Sequence, residues 1–221
     1  MTRAVEPVLQ VLRETVLRMG SRAEAILDKA VQAVIDRNAE LASQVDRDDL
    51  EIDRLDVEID AAVLRALALQ APVAADLRKV VAVKMIATDL ERVGDLARNI
   101  AKSARRLSLH PELPVPLVLA RLARSAQRML HGALDAYSGD DPEAARRVLA
   151  QDDEVDRQQD EVVRFALQEI SGSPDLASQG VDLIFVAKNL ERVGDHATNI
   201  AEDVILVIEA RNVKHAAKLG G

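Results

Sequence analysis

The sequence predicts an all-α protein built as two tandem three-helix bundles related by internal duplication, with six long helices. Three observations carry this. Aliphatic residues dominate a hydrophobic content of 48%, and only Tyr137, Phe165 and Phe185 are aromatic, so the core must be Ala, Val, Leu and Ile. Such a core with 30% charged residues is the composition of a helical bundle. Helix breakers are few, and strand-like runs between Gly or Asn turns are missing. Third, DLERVGDLARNIA at 89–101 returns as NLERVGDHATNIA at 189–201, with ten of thirteen positions identical. Self-similarity at a fixed spacing marks a duplicated supersecondary unit.

The first helix spans about Glu6 to Asn38. Val8, Leu12, Thr15, Met19, Ala23, Ile26, Ala30 and Val34 follow the helical rhythm, and Gly20 and Ser21 could bend it. The second covers about Ala39 to Gln70. The third follows Pro72, a residue suited to a first helical turn, and runs to about Leu107. HPELPVP, residues 110–116, then interrupts with three prolines and is the one clear linker. The fourth helix spans about Pro116 to Tyr137. In SGDDPE, Asp141 reads as an N-cap with Pro142 at the first helical position, and the fifth helix continues to about Ile170. SGSPDL separates it from the sixth, about Leu176 to Arg211, and the tail 213–221 is expected to fray. The boundary between halves falls at 109/110, giving bundles 1–109 and 110–221. Helices of this length are ~45 Å long, which predicts an elongated molecule.

Composition excludes several functions. A net charge of −8 with almost no aromatics argues against a nucleic-acid partner. The absence of Cys removes disulfides, thiolate metal sites and Cys nucleophiles. MTRAVEPVLQVLRETV lacks the apolar run of a secretion signal, and no window is apolar enough to span a membrane, so the expected compartment is the cytoplasm. Gly-rich phosphate loops and nucleophile motifs are absent, which leaves an enzyme the weaker hypothesis.

The carboxylates are the candidate site. In the third helix Ile86, Leu90, Val93, Ala97 and Ile100 form the core stripe, and Glu91 and Asp95 stand at its flank one turn apart. The sixth helix repeats this with Glu191 and Asp195. Asp49 with Asp53, and Asp152 with Asp156, have the same spacing on the second and fifth helices. Like charges at i, i+4 repel by a few tenths of a kcal/mol, and more beside a core. Two neutralisers compete. One is a salt-bridge ladder, for which Lys84, Arg98 and Lys102 share the sector of Glu91 and Asp95. The equivalent residues of the second half are Ile184, Thr198 and Glu202, and only Lys188 is near. The other is a hard cation held by the four carboxylates of each half, with Asn99 or Asn199 in support. Gly94 and Gly194 either let helices pack closely or open room beside the carboxylates. His196 reads as an exposed helix residue, because the Glu-x-x-His spacing of di-iron bundles is absent. His110, His131 and His215 show no partner.

The doubled LERVGD at 90–95 and 190–195, each followed by NIA, resembles the PhoU family of phosphate transport and signalling accessory proteins. So do PVAADLR at 72–78 and the segments around Asp49 and Asp152. The resemblance covers about Leu9 to Glu209. It implies two three-helix bundles with metal sites at Glu/Asp-x-x-x-Asp motifs, here Asp49, Asp53, Glu91 and Asp95, then Asp152, Asp156, Glu191 and Asp195. The ion could be iron, zinc, manganese or magnesium. It implies a negative regulator of phosphate uptake and of the phosphate-starvation response. The partners would be the ATPase of the phosphate ABC transporter and a membrane-bound sensor histidine kinase, the chain being peripheral to the inner membrane through them. A homodimer is expected. The DLR of 76–78 has no counterpart in SPDLASQGVDL. Two other classes compete with this regulator: a metal-handling or metal-dependent enzyme, and a metal-free helical interaction module.

Overall fold

The computed structural model of the chain describes residues 5–110 and 113–214. Among these the regular structure is helical: α1 (Glu6–Ile35), α2 (Ala39–Gln70), α3 (Ala74–Ser108), α4 (Leu117–Gly139), α5 (Pro142–Leu149), α6 (Asp152–Gly172) and α7 (Ala177–Glu209). A single 3-10 turn, Pro174–Leu176, precedes α7. The six expected segments are all present, and the fifth is broken at Ala150–Gln151 into α5 and α6. Three acids in a row, Asp152, Asp153 and Glu154, occupy the first turn of α6, where the helix dipole favours them.

Capping explains the other boundaries. Asn38 serves both helices: its N–H donates to the Ala33 carbonyl at 2.9 Å at the end of α1, and its side chain accepts from Leu41 N at 2.9 Å and starts α2. Asp141 accepts from the backbone of Glu143 and Ala144 at 2.9 and 3.0 Å, with Pro142 behind it, as its sequence context predicts. Helix α1 runs through Gly20 and Ser21 without a break. A Cβ on Gly20 would stand 2.6 Å from Leu134 of α4, so this glycine serves close approach rather than bending.

The core stripes fall where the periodicity puts them. Ile86, Leu90, Val93, Ala97 and Ile100 are fully buried, as are Leu190, Val193, Ala197 and Ile200. Helices α1, α3, α7 and α4 pack in a ring, each against two others, with α2 outside α1 and α3, and α5 and α6 outside α7 and α4. One continuous apolar cluster runs through both halves. Two antiparallel seams join them. Along α1 and α4, His131 Nδ1 meets Glu24 at 2.8 Å, Gln127 donates to Asp28 at 2.6 Å, and Arg13 Nη1 donates to Asp140 at 2.9 Å. Along α3 and α7, Asp89 opposes His196 and Arg106 opposes Asp182.

The proline-rich linker is tied down. Arg37 adopts a left-handed backbone (φ 51°), which for a residue with a Cβ costs ~1 kcal/mol. Its guanidinium donates to the carbonyls of Leu107 (2.6 Å), His110 (2.8 Å) and Leu113. Leu113 is fully buried, and its N–H donates to Gln179 of α7 at 2.9 Å. Pro111 and Glu112 of the linker lie outside the described residues. So does most of the tail expected to fray; within it, Val213 packs against the core and Lys214 reaches Asp203.

Candidate functional site

The first carboxylate group sits between α2 and α3. Asp49 comes from the interior of α2 and is only 3% exposed. Its carboxylate lies over Gly94: a Cβ there would stand 2.5 Å from Asp49 Oδ1. The glycine of the first copy is thus the opening that admits an acid. Burial, then the charge of Asp53, pushes the Asp49 carboxyl up to about 6, against the opposing pull of Arg98. Glu91 is also raised, by burial and then by Asp95. Asp49, Asp53, Glu91 and Asp95 therefore share one electrostatic site.

That site contains its own cation. Arg98 Nη1 donates to Asp49 at 3.1 Å and to Asp95 at 3.5 Å, and its Nε lies 3.7 Å from Asp46. Arg92 lies 3.4 Å from Glu91 and 3.3 Å from Asp95. The expected ladder is present but differently wired. Lys84 turns to Asp56 and Asp60 of α2, and Lys102 donates to Asn99 instead of joining the acids. Asp46, Asp56 and Asp60 also belong to this face; Asp56 and Asp60 are a further i, i+4 pair, whereas Asp46 escapes a search for such pairs, and the dense DRDD run is the signal that could have found it.

The second group sits between α6 and α7. Asp152 is the first residue of α6, not an interior one, and is half-buried. Burial raises the Asp152, Glu191 and Asp195 carboxyls, and the charge of Asp156 is the next cause for Asp152 and Asp195, that of Asp195 for Glu191. Among the described residues no cation lies within ion-pair distance of these four. Gly194 does not receive a carboxylate: a Cβ there would meet Val155 at 3.3 Å and Met129 at 3.6 Å.

All eight candidate acids thus gather into two groups, one per half, with hard oxygen donors throughout. Among the described residues no three Asp, Glu or His side chains form a ready-made ligand set. The donor chemistry nonetheless fits a hard cation, better in the second half. There the acids burden one another with only the more distant charges of Lys188 and Arg192 against them, whereas Arg98 already holds Asp49 and Asp95 in the first.

His196 corrects its sequence reading. It is largely buried, and its Nδ1 lies 2.7 Å from Asp89 across the α3–α7 seam, where Asn199 Nδ2 also donates to Asp89 at 3.1 Å. Nearby Asp203 is fully buried and pushed up to about 6 by burial, with Lys214 Nζ 3.0 Å away. His131, without a visible partner in sequence, lies between Glu24 and Asp135.

The PhoU domain matches the chain twice, over residues 16–104 and 119–204. The chain is 40% identical over 206 residues to a phosphate-specific transport system accessory protein PhoU homolog of Zymomonas mobilis, covering 91% of this chain and 85% of that protein. A Pseudomonas aeruginosa protein of the same description is 35% identical over 208 residues, 94% of this chain and 86% of the relative. The structure superposes on the crystal structure of PhoU from Pseudomonas aeruginosa with a TM-score of 0.90 at 34% identity, covering 93% of this chain and 99% of that one.

Proposed function

The chain belongs to the PhoU family, and from that premise we propose that it is a non-enzymatic regulator of phosphate uptake and of the phosphate-starvation response. It acts as a cytoplasmic adaptor between the ATPase of the phosphate ABC transporter and a sensor histidine kinase. The observation that carries this reading is near-full-length similarity, in both repeats, to accessory proteins of phosphate transport. The architecture suits docking: six long segments present extended charged faces. No helix among the described residues is long and apolar enough to cross a membrane. The test is co-purification with the ATPase and with the cytoplasmic part of the kinase, with phosphate present and absent. Failure to bind either at micromolar concentration would end the adaptor reading.

The two acidic groups are proposed as the cation sites of this regulator. Asp152, Asp156, Glu191 and Asp195 would hold an ion in the second half, and Asp49, Asp53, Glu91 and Asp95 in the first, where Arg98 must yield. Bound there, iron, zinc, manganese or magnesium supplies positive charge that relieves the acids and can bridge to an oxygen on a partner. Elemental analysis of protein purified without chelator or His tag should find an ion per occupied group. Glu191→Gln/Asp195→Asn should lose more metal than Glu91→Gln/Asp95→Asn. Equal, negligible metal in all three after equilibration with each ion would leave the acids as a docking face. Pairing of two copies belongs to the same proposal. Leu64, Leu69, Val73 and Leu77, exposed around the α2–α3 turn, are surface that would favour it, and sedimentation measures it.

A further inference from the structure

The antiparallel α3–α7 seam has two edges, related by the internal repeat, and their chemistry is opposite. One edge is acidic and filled: Asp89 is taken by His196 and Asn199, and Asp203 by Lys214. A hundred positions away in each helix, the other edge carries Asn189 for Asp89, Ser103 for Asp203, Lys102 for Glu202, Lys188 for Thr88 and Arg106 for Leu206. This edge is an open cleft of about 430 Å³. Its cations are Lys102, Arg106, Lys188 and Arg192, and no carboxylate lines it.

Four cations around one cleft are unexpected in a chain of net charge −8. They stand as two i, i+4 pairs, one turn (~6 Å) apart on each helix and facing each other across the seam. Among the described residues Lys102, Lys188 and Arg192 have no ion-pair partner. Lys102 donates only to Asn99, at 3.3 Å. Arg106 is held in place: buried Asp182 accepts from Nε at 2.8 Å and from Nη2, and Ser103 Oγ lies 3.0 Å from Nη2. Its Nη1 amino group has no hydrogen-bond partner among the described residues. The Asn189 amide donates to the Phe185 carbonyl at 2.6 Å, which leaves its oxygen free and the Phe185 ring half-exposed at the cleft wall. Donors converging from both helices on a cleft that no carboxylate lines are the chemistry that recognises several oxyanion groups at once.

The geometry points to a binding site for a compact polyanion, a small ion or molecule carrying two or more linked phosphate groups. A single phosphate can engage one pair of cations; a linked set engages both pairs and gains from their fixed separation. Lys188 and Arg192 also act through their charge on Glu191, so the cleft adjoins the second carboxylate group, but the proposal does not rest on that group binding metal.

The test is calorimetric titration of the full chain with orthophosphate, pyrophosphate, tripolyphosphate and adenosine triphosphate, all with chelator present. Expected affinity rises from orthophosphate to tripolyphosphate by tenfold or more. Lys102→Gln/Lys188→Gln lowers tripolyphosphate affinity at least tenfold, and Arg18→Gln, a cation remote from the cleft, leaves it unchanged. If adenosine triphosphate binds tighter than tripolyphosphate and Phe185→Ala removes the difference, the ligand is a nucleotide. Equal binding assigns a free polyphosphate. No saturation by pyrophosphate or tripolyphosphate at millimolar concentration overturns the proposal, as does equal affinity in the Lys102/Lys188 variant whose helical spectrum matches the parent.

Discussion

The two carboxylate groups began as one segment, yet the halves treat them differently. In the first, an acid from mid-helix is driven under a glycine and clamped by Arg98. In the second, the same acid stands at the start of a helix, with no guanidinium beside it. The difference comes from two places. Position 98 is Arg in one copy and Thr198 in the other. The outer helix is continuous as α2 but broken before Asp152. Duplication therefore produced one group clamped by a guanidinium and one that, among the described residues, has no cation in ion-pair contact with it.

That contrast can be broken from the first half. Arg98→Ala should cost about 2–3 kcal/mol at neutral pH, because it leaves Asp49 buried without its partner. Urea unfolding would measure it, and the loss should shrink near pH 5 as Asp49 takes up a proton. The corresponding Thr198→Ala should change stability by no more than about 0.5 kcal/mol.

Gly94→Ala should cost about 2 kcal/mol, since the new Cβ would stand 2.5 Å from the Asp49 carboxylate. Gly194→Ala meets apolar atoms only, the nearest Val155 at 3.3 Å, which must give by a few tenths of an ångström; the gain in helix propensity, ~1 kcal/mol, should offset this and leave the variant near neutral. Paired thermal melts decide between the two roles; equal losses would mean the glycines serve one purpose.

Asp49→Asn should stabilise by about 1–2 kcal/mol at pH 7.5. The folded carboxyl titrates near 6 and the unfolded one near 3.8, so the folded state holds a proton that the unfolded chain has released. The contribution of Asp49 to stability thus rises as pH falls through that window. The advantage of the variant should vanish by pH 4, and a constant advantage would place the effect elsewhere.

The smallest effect sharpens the comparison from the second half. Thr198→Arg supplies the missing guanidinium and should add up to about 1 kcal/mol at low ionic strength. It should also reduce metal uptake by the second group, measured by elemental analysis. Unchanged uptake would show that the guanidinium of the first half is no competitor there.

Much of this was legible in the sequence. Periodicity located the core stripes, since every residue of the 86–100 stripe is buried, and the spacing of acids named both groups. The break at Ala150–Gln151 was missed because no Gly or Pro marks it; the only sign is the run of acids that follows. Gly94 could not be resolved from Gly194, because the deciding atom belongs to Asp49, forty-five residues upstream on another helix. The repeat invited attention to its ten identities, but the three differences carry the asymmetry. Asp89 and His196 are two of them and bond to each other across the seam; Arg98 is the third and clamps Asp49. Long-range pairing of this kind leaves no local pattern.

The Arg37 clamp on the linker carries a consequence for how the duplicated gene can now be taken apart. A join between repeats is ordinarily the natural place to cut. Here the arginine that ends the first helix grips the very backbone that would be severed, and the leucine it positions is lodged against the last helix. The copies share one continuous apolar interior. Neither is a spare of the other, and a rearrangement that shuffled one repeat into a new context would carry with it a hole shaped for its sister.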